Sequence, residues 1–502
     1  MRLLPHSRRG ALWRFALAAL IVVSFTATAT AVAGLLQVKQ LIHYLNFTQP
    51  LAHARVVIPK PGEPQTLLLI GSDHRAGESF KRSNTDTMML VRIDANSSTI
   101  NVLSIPRDLK VQLPYGKVMG PGKLNAAYSL GGPNLLVKTL HDQVLPGLKI
   151  NHIIDVNFGG FKALIDTVGC VYADVDHRYY NDTAYTNYSS IDIQPGYQKL
   201  CGDDALAFVR FRHTDSDLVR NARQQDFLRW AKSQFSPSTV IGQQDKLLSI
   251  FGKHTQTDGG LHTTDGLINL FNLVAFSAGH AVKQIPFPAI LLPCLPNPRA
   301  QTPCYVGADP AAVDKAFRQF LTPTVAAPAK KSGGGGHGGH GGKPAPPALL
   351  GDILDGKSQA SVMGNPGMPV YVPAKIAAGS HYCGPGLCAE GPVQNSYPRA
   401  YRIQDQSRHL HAAYRMTLAL NPVLGQYYGV QGTTWEDPPI LSGTHQTRSV
   451  NGKQLQLYFN GSKVTLVAWH RPGGGLYWIE NTLTDDLTNA QMVAIAGSFT
   501  HS

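Results

Sequence analysis

Acid is scarce in this chain. Its 502 residues carry 32 Asp and Glu against 45 Lys and Arg, a formal net charge of +13. That excess points to an anionic partner: nucleic acid, a membrane surface or a polyanionic polymer. Cysteine is sparse too, with six in all and no two in Cys-x-x-Cys spacing, which weakens a structural zinc site as the alternative to disulfides. Charge of either sign is missing from Phe15 to Leu36. From Gly351 to Ser502 no nucleophile, metal set or phosphate loop stands out. Hydrophobic residues, at 43%, are as frequent as in a globular protein, and the length calls for two or three domains.

The uncharged run follows Arg2, Arg8, Arg9 and Arg14. About 20 apolar residues suffice for a membrane-spanning helix, and basic flanks stay on the cytoplasmic side. We therefore expect a basic cytoplasmic tail at 1–14, a transmembrane helix at 15–36 and everything after Lys39 outside the cell membrane. A cleaved signal peptide is the competing reading, with small residues from Ala27 to Ala33 as its cleavage region. Either route exports the folded part, which argues against nucleic acid. An even number of cysteines agrees with an oxidising compartment. Nearest-neighbour pairing, one of fifteen possibilities, would join Cys170 with Cys201, Cys294 with Cys304 and Cys383 with Cys388.

A Pro-containing linker is expected at 37–63, then a domain at 64–321. Leu67 to Ile70, Met88 to Ile93, Thr99 to Ile105 and Ile150 to Val156 read as strands. Asn134 to Val144, Phe161 to Val168, Gly202 to Phe208, Arg220 to Gln234 and Thr264 to Phe276 have helical spacing. Strands and helices intermix, so the predicted class is α/β (α+β): a central mixed sheet flanked by helices. The 322–349 stretch, with His337 and His340 among glycines, reads as a flexible linker. A small α+β accessory domain is expected at 350–502, with helical stretches from Ala400 to Leu420 and a hairpin around Asn460-Gly461.

Polar residues gather where the first domain's elements end: Asp73, Arg75, Arg82, Asp86, Arg107, Asp108, Lys123 and Asn125. Further on, Phe208-Val-Arg-Phe-Arg-His213 read as extended chain puts Arg210 and Arg212 on one face. Read as helix, the following segment puts Asp217, Arg220, Arg223 and Gln224 on one stripe. A guanidinium fork matches phosphate oxygens two at a time, and paired carboxylates can hold a hard divalent cation. The alternative is mutual pairing: Asp73 and Asp86 with Arg75 and Arg82, and Asp108 or Asp217 holding an arginine rather than acting as a base.

Gly71-Ser-Asp-His-Arg75, Arg82 to Leu90, Ser104-Ile-Pro-Arg-Asp108, Lys123-Leu-Asn-Ala-Ala-Tyr128 with Gly131-Gly132, and Arg210 to Gln225 together resemble the LytR-CpsA-Psr family of cell-wall enzymes. The resemblance implies a phosphotransferase that moves a glycopolymer from a polyprenyl-pyrophosphate carrier onto peptidoglycan, with Mg²⁺ (or Mn²⁺) as cofactor. It implies a catalytic Arg107 acting with Asp73 and Asp86, the two acids holding the metal. Arg210, Arg212, Arg220, Arg223 and Gln224 are implied around the pyrophosphate, and Arg75, Arg82, Lys123 and Asn125 join them as expected contacts. The family's Arg-Ser-Asp-Thr reads Arg82-Ser-Asn-Thr-Asp-Thr87 here; Asp86 is aligned by Thr87-Met-Met-Leu90, while the register of Arg82 stays open. A lipid-pyrophosphate hydrolase and a non-catalytic envelope-binding protein are the alternative functions.

Overall fold

The computed structural model describes residues 56–72, 85–183, 190–211, 217–234, 243–277, 279–292, 305–324, 348–384 and 396–502, with Lys39, His43, Pro50, Leu51 and Cys388. The expected anchor at 15–36, the Cys294–Cys304 pair and the His337/His340 linker lie outside them. Among the described residues no helix is long and apolar enough to cross a membrane.

The first strand, β1 (Gln65–Ser72), sits mid-sheet because its side chains are apolar on both faces. Leu68 and Ile70 enter one core, and Leu67 the other. β2 (Thr85–Ile93) and β3 (Thr99–Ser104) continue antiparallel from it. β4 (Lys110–Tyr115) and β5 (Val118–Lys123) form a hairpin across Gly116-Lys117. α1 (Ala126–Thr139) starts eight residues before the expected Asn134, kinks at Gly131 and Gly132, and runs on through Leu140–Val144.

β6 (His152–Asn157) pairs parallel to β1. Asn157 then caps α2 (Phe158–Val168) by accepting from Gly160 N at 2.8 Å, worth about 1 kcal/mol. β7 (Val171–Val175), β8 (Tyr179–Asn181), β9 (Ile191–Ile193) and β10 (Gly196–Leu200) form two ribbons, β7 with β10 and β8 with β9. The Cys170–Cys201 disulfide closes this segment. α3 (Gly202–Arg210) and α4 (Asp217–Gln234) follow. Arg210 is therefore the last residue of a helix, not part of an extended strand. Apolar Ala205, Phe208 and Val209 set a helical period there and pack with Phe227 and Trp230.

α5 (Gln244–His254), β11 (Thr255–Thr257), α6 (Thr264–Phe276), β12 (Ala281–Ile285), β13 (Ala289–Leu291), β14 (Val306–Ala308) and α7 (Pro310–Leu321) complete the unit. The six-stranded sheet has the order β11-β6-β1-β2-β3-β12 and is mixed. Leu136, Leu140, Phe317 and Phe320 of the α1 and α7 segments cover one face. Leu267 and Leu273 of α6 cover the other.

Beyond residue 348, short β15 (Leu349–Gly351), α8 (Ile353–Met363), β16 (Tyr371–Pro373), β17 (Lys375–Ala377) and β18 (His381–Tyr382) lead into β19 (Arg399–Gln404) and β20 (Leu410–Asn421). These last two are strands where helical stretches were expected between Ala400 and Leu420. Apolar residues in β20 alternate with a period of two, which only a strand presents as one face. β21 (Gln426–Thr433), β22 (His445–Val450), β23 (Lys453–Asn460), β24 (Lys463–His470) and β25 (Leu476–Glu480) complete one large sheet; α9 (Asn489–Gly497) and β26 (Phe499–His501) follow.

That alternation decides how the two units meet. From β20, Ala412, Tyr414, Met416 and Leu418 point into the C-terminal core with α9. The residues between them face the first unit: Arg415 Nη1 donates to Asp174 Oδ1 at 2.5 Å, and Thr417 Oγ1 to Asp176 O at 3.1 Å. Trp478 Nε1 of β25 takes the other Asp174 oxygen at 2.7 Å. Around them Tyr172 and Tyr197 share a core with Ala413, Trp435, Leu466 and Trp478. Gly429 is required here, because a Cβ on it would lie 2.1 Å from the Arg415 guanidinium.

Removing one partner of such a buried pair strands the other charge. Arg415→Met should lower the unfolding free energy by about 3–5 kcal/mol in urea titrations. At the same interface, burial first and the nearby Asp226 second push the Asp485 carboxyl up to about 7. The unfolded chain releases that proton near pH 4 and the folded chain holds it until about pH 7, so stability falls as pH rises through this window. Asp485 has a left-handed φ of 55° that Asn tolerates. Asp485→Asn should therefore melt higher than the native protein at about pH 8 and match it at about pH 4.

Candidate active site

The site forms where β1 ends, β2 begins and β3 runs into Ile105-Pro-Arg-Asp108. Because β1 and β2 are antiparallel neighbours, Ser72 stands opposite Thr85, one residue before Asp86. The turn after β3 brings Arg107 to the same end, where its Nη1 donates to Asp86 Oδ1. From the C-terminus of α3, Arg210 Nε donates to the other carboxylate oxygen at 3.0 Å. The Arg210 guanidinium also lies 3.9 Å from the centre of the Phe158 ring, a cation–π contact that fixes its approach. One carboxylate thus carries two guanidinium groups.

Asp108 is buried beside them and pairs with Lys123 Nζ at 3.1 Å, with Arg107 Nε at 3.8 Å. Asp108 thus holds cations. Asn125 N donates to Arg107 O at 3.0 Å, so the residue contributes at least its backbone to the Arg107 turn. Three cations, Arg107, Lys123 and Arg210, face two carboxylates, Asp86 and Asp108. All but Asp108 are partly open to solvent. Among the described residues the cluster keeps a net positive charge at an accessible sheet end, as an anion site requires.

Other expected residues are near but differently used. Gln224 Nε2 donates to Thr87 Oγ1 at 2.8 Å and to Val209 O at 3.1 Å, tying α4 to the strand and helix that carry Asp86 and Arg210. Arg223 is fully buried. Its Nη1 donates to Phe208 O and Phe211 O, both at 3.0 Å, and its Nε to Tyr179 Oη at 3.1 Å. It holds the backbone on either side of Arg210, so its part in the site is positioning. Arg220 is equally buried. Asp73, Arg75, Arg82 and Arg212 lie outside the described residues.

Three supporting residues escaped the sequence reading. Asp155 of β6 accepts from Ser72 Oγ at 2.7 Å and from the Tyr128 hydroxyl. It joins the Gly-Ser-Asp strand end to the Lys-Leu-Asn-Ala-Ala-Tyr helix. Burial, then the charge of Asp155, raises the Tyr128 phenol far above its ordinary value, so it stays a donor. A carboxylate inside the apolar run Ile153-Ile154-Asp155-Val156 was the available signal. Tyr179 donates to Asp176 Oδ1 at 2.5 Å while accepting from Arg223. Burial pushes the Asp176 carboxyl up, but His177, Tyr179 and Arg223 outweigh it and hold it below the ordinary value.

The sequence model of the LytR_cpsA_psr family matches residues 22–296. The chain belongs to that family. A curated relative, the polyisoprenyl-teichoic acid–peptidoglycan teichoic acid transferase TagV of Bacillus subtilis strain 168, is 30% identical over 213 residues, 42% of this chain and 53% of its own. TagU of Oceanobacillus iheyensis, named for the same transfer, is 34% identical over 207 residues, 40% of this chain and 60% of its own. The chain thus spans about half the length of the curated relatives it matches. The crystal structure of B. subtilis TagV superposes with a TM-score of 0.40 at 26% identity, covering 52% of this chain and 97% of the other.

Asp155 offers a test of how the motifs are knitted together. A hydrogen bond to a charged group is worth about 1.5–3 kcal/mol, so Tyr128→Phe should reduce unfolding free energy by that much in denaturant titrations.

Proposed function

We propose that this chain is an extracytoplasmic phosphotransferase that moves a glycopolymer from a polyprenyl-pyrophosphate carrier to peptidoglycan. The observation that carries this reading is the sharing of Asp86 by Arg107 and Arg210 at an open sheet end. Family membership and the transferase names of the TagV and TagU relatives support it. On this reading the 15–36 segment anchors the chain in the cell membrane with its N-terminus cytoplasmic, as the basic flank suggests.

A pyrophosphate entering this end meets two guanidinium forks that share one carboxylate, Asp86. Its oxygens offer the forks a second, more highly charged acceptor. Arg107 and Arg210 then turn toward phosphate, and the Asp86 oxygens are released. Attack by a peptidoglycan hydroxyl on the polymer-side phosphorus forms the new P–O bond. The P–O–P bridge breaks, polyprenyl phosphate leaves, and the hydroxyl proton passes to solvent water. Phosphoryl transfer depends mainly on positioning and on neutralising the transferring and leaving oxygens. Arg107 and Arg210 serve the second need, and Lys123, turned partly to Asp108, adds to the field.

Asp86 presents hard carboxylate oxygens beside these cations, a donor type that fits Mg²⁺ or Mn²⁺. Asp86 and Asp73 would hold the ion, which would supply further charge neutralisation at the phosphates.

The assay pairs a lipid-linked polymer with and without peptidoglycan. Conjugate should form only when peptidoglycan is present; free polymer alone would instead mark a hydrolase. Losing a preorganised donor costs about 10²–10³ in kcat, so Arg107→Ala should slow conjugate formation by that factor. If Arg107→Ala and Asp86→Ala both leave the rate intact, this site does not perform the reaction.

A further inference from the structure

We infer that the β4–β5 hairpin is a membrane-interface wedge whose tip sits among anionic lipid headgroups. The tip is a two-residue turn, Gly116-Lys117, with Gly116 at φ 67°. Tyr115 and Val118 stand opposite each other on one face, and Met119 stands opposite Pro114 on the other. Both faces of the tip are therefore apolar, so folding the hairpin back onto either one would not cover the other. Val118 is 69% exposed, Met119 56% and Tyr115 48%. Exposed apolar side chains beside an aromatic and a lysine match the headgroup–acyl boundary.

Charge selects the same partner. From Leu109 to His141 there is no Asp or Glu; Lys123 pairs with Asp108 and Lys138 with Asp142, so Lys110 and Lys117 carry the positive charge of the hairpin. Lys110 and Lys117 are exposed. A juxtamembrane lysine adds attraction to an anionic leaflet within a Debye length. A partner strand fits poorly, because Pro114 and Pro121 lack the N–H that edge pairing needs.

The root of the hairpin is the candidate site itself. Lys110 pairs with Lys123, and Lys123 reaches Asp108 beside Arg107. Five residues of strand, about 17 Å at most, separate that root from the tip. A seated tip would hold the Arg107 cluster close to the headgroup layer, where a lipid-linked diphosphate is presented. The wedge rests on the transferase reading only for the identity of that substrate.

The test uses the full chain reconstituted into mixed phosphatidylglycerol–phosphatidylcholine vesicles. Met119→Cys carries an environment-sensitive NBD label, and Gln446→Cys on the exposed β22 carries the same label as control. The unsubstituted chain, taken through the labelling reaction, sets the background. The Met119 label should shift to shorter wavelength and be quenched by doxyl lipid, while the control is neither shifted nor quenched. Emission equal to the control and indifferent to doxyl lipid overturns the wedge. A blue shift without doxyl quenching overturns it too, because it marks contact with protein or a second copy. Neither readout needs turnover, so a failed transfer assay with a quenched label removes the transferase reading and leaves the wedge standing.

Discussion

Two guanidinium groups on one carboxylate set the charge of the candidate site. Arg107 and Arg210 come from elements about a hundred residues apart, and like charges do not gather without cause. Asp86 supplies that cause without neutralising them, since one negative charge faces two positive ones. The arrangement is stable enough to preform and unbalanced enough to accept a stronger anion. A carboxylate in the middle also makes the site two-sided. On the proposed function, an anion that drew the arginines away would leave Asp86 with oxygens suited to a hard cation. Anion and cation would then favour each other's binding.

Such a cluster must be held from outside, and the supports run in two directions. On the sheet side, Asp155 receives Ser72 and Tyr128, fixing the strand end and the helix that flank the site. On the helix side, Arg223 spends its guanidinium on the carbonyls of Phe208 and Phe211, with Tyr179 and Asp176 behind it. Gln224 closes the angle between the two by reaching Thr87. An arginine that grips backbone on either side of Arg210 shapes the site as surely as one that touches phosphate.

Much of this was legible in the residues. The strand ends carrying Asp86 and Arg107 followed from short apolar runs broken by polar motifs, and in the C-terminal unit the hairpin expected around Asn460-Gly461 is present. The failures have physical causes. Phe208-Val-Arg-Phe-Arg fits an alternating strand as well as a helix end, and only packing of Phe208 against Phe227 and Trp230 decides between them. Arg220, Arg223 and Gln224 share a stripe, but spacing on a helix says nothing about which way the stripe faces; here it faces inward. The β4–β5 hairpin was hidden because its prolines and glycines are common in loops, while its pairing depends on register across Gly116-Lys117. Tyr179 had no local signal, because its partners come from other elements.

The C-terminal sheet bears on the same question of rigidity. A buried ion pair is weak evidence for stability, because desolvation offsets much of its attraction. Its geometry is more informative. Asp174 accepts Arg415 and the Trp478 indole on separate oxygens, Thr417 takes the carbonyl of Asp176, and Gly429 leaves room for the guanidinium to lie across the sheet. Sliding β20 by one residue would exchange Arg415 and Thr417 for Tyr414 and Met416, burying charge with no partner. One register is therefore strongly preferred. Asp176, held by β20 through its backbone, holds Tyr179 through its side chain, and Tyr179 meets Arg223. The C-terminal unit thereby reaches the backbone around Arg210 through contiguous hydrogen bonds, and its place in the molecule is that of a brace on the arginine helix.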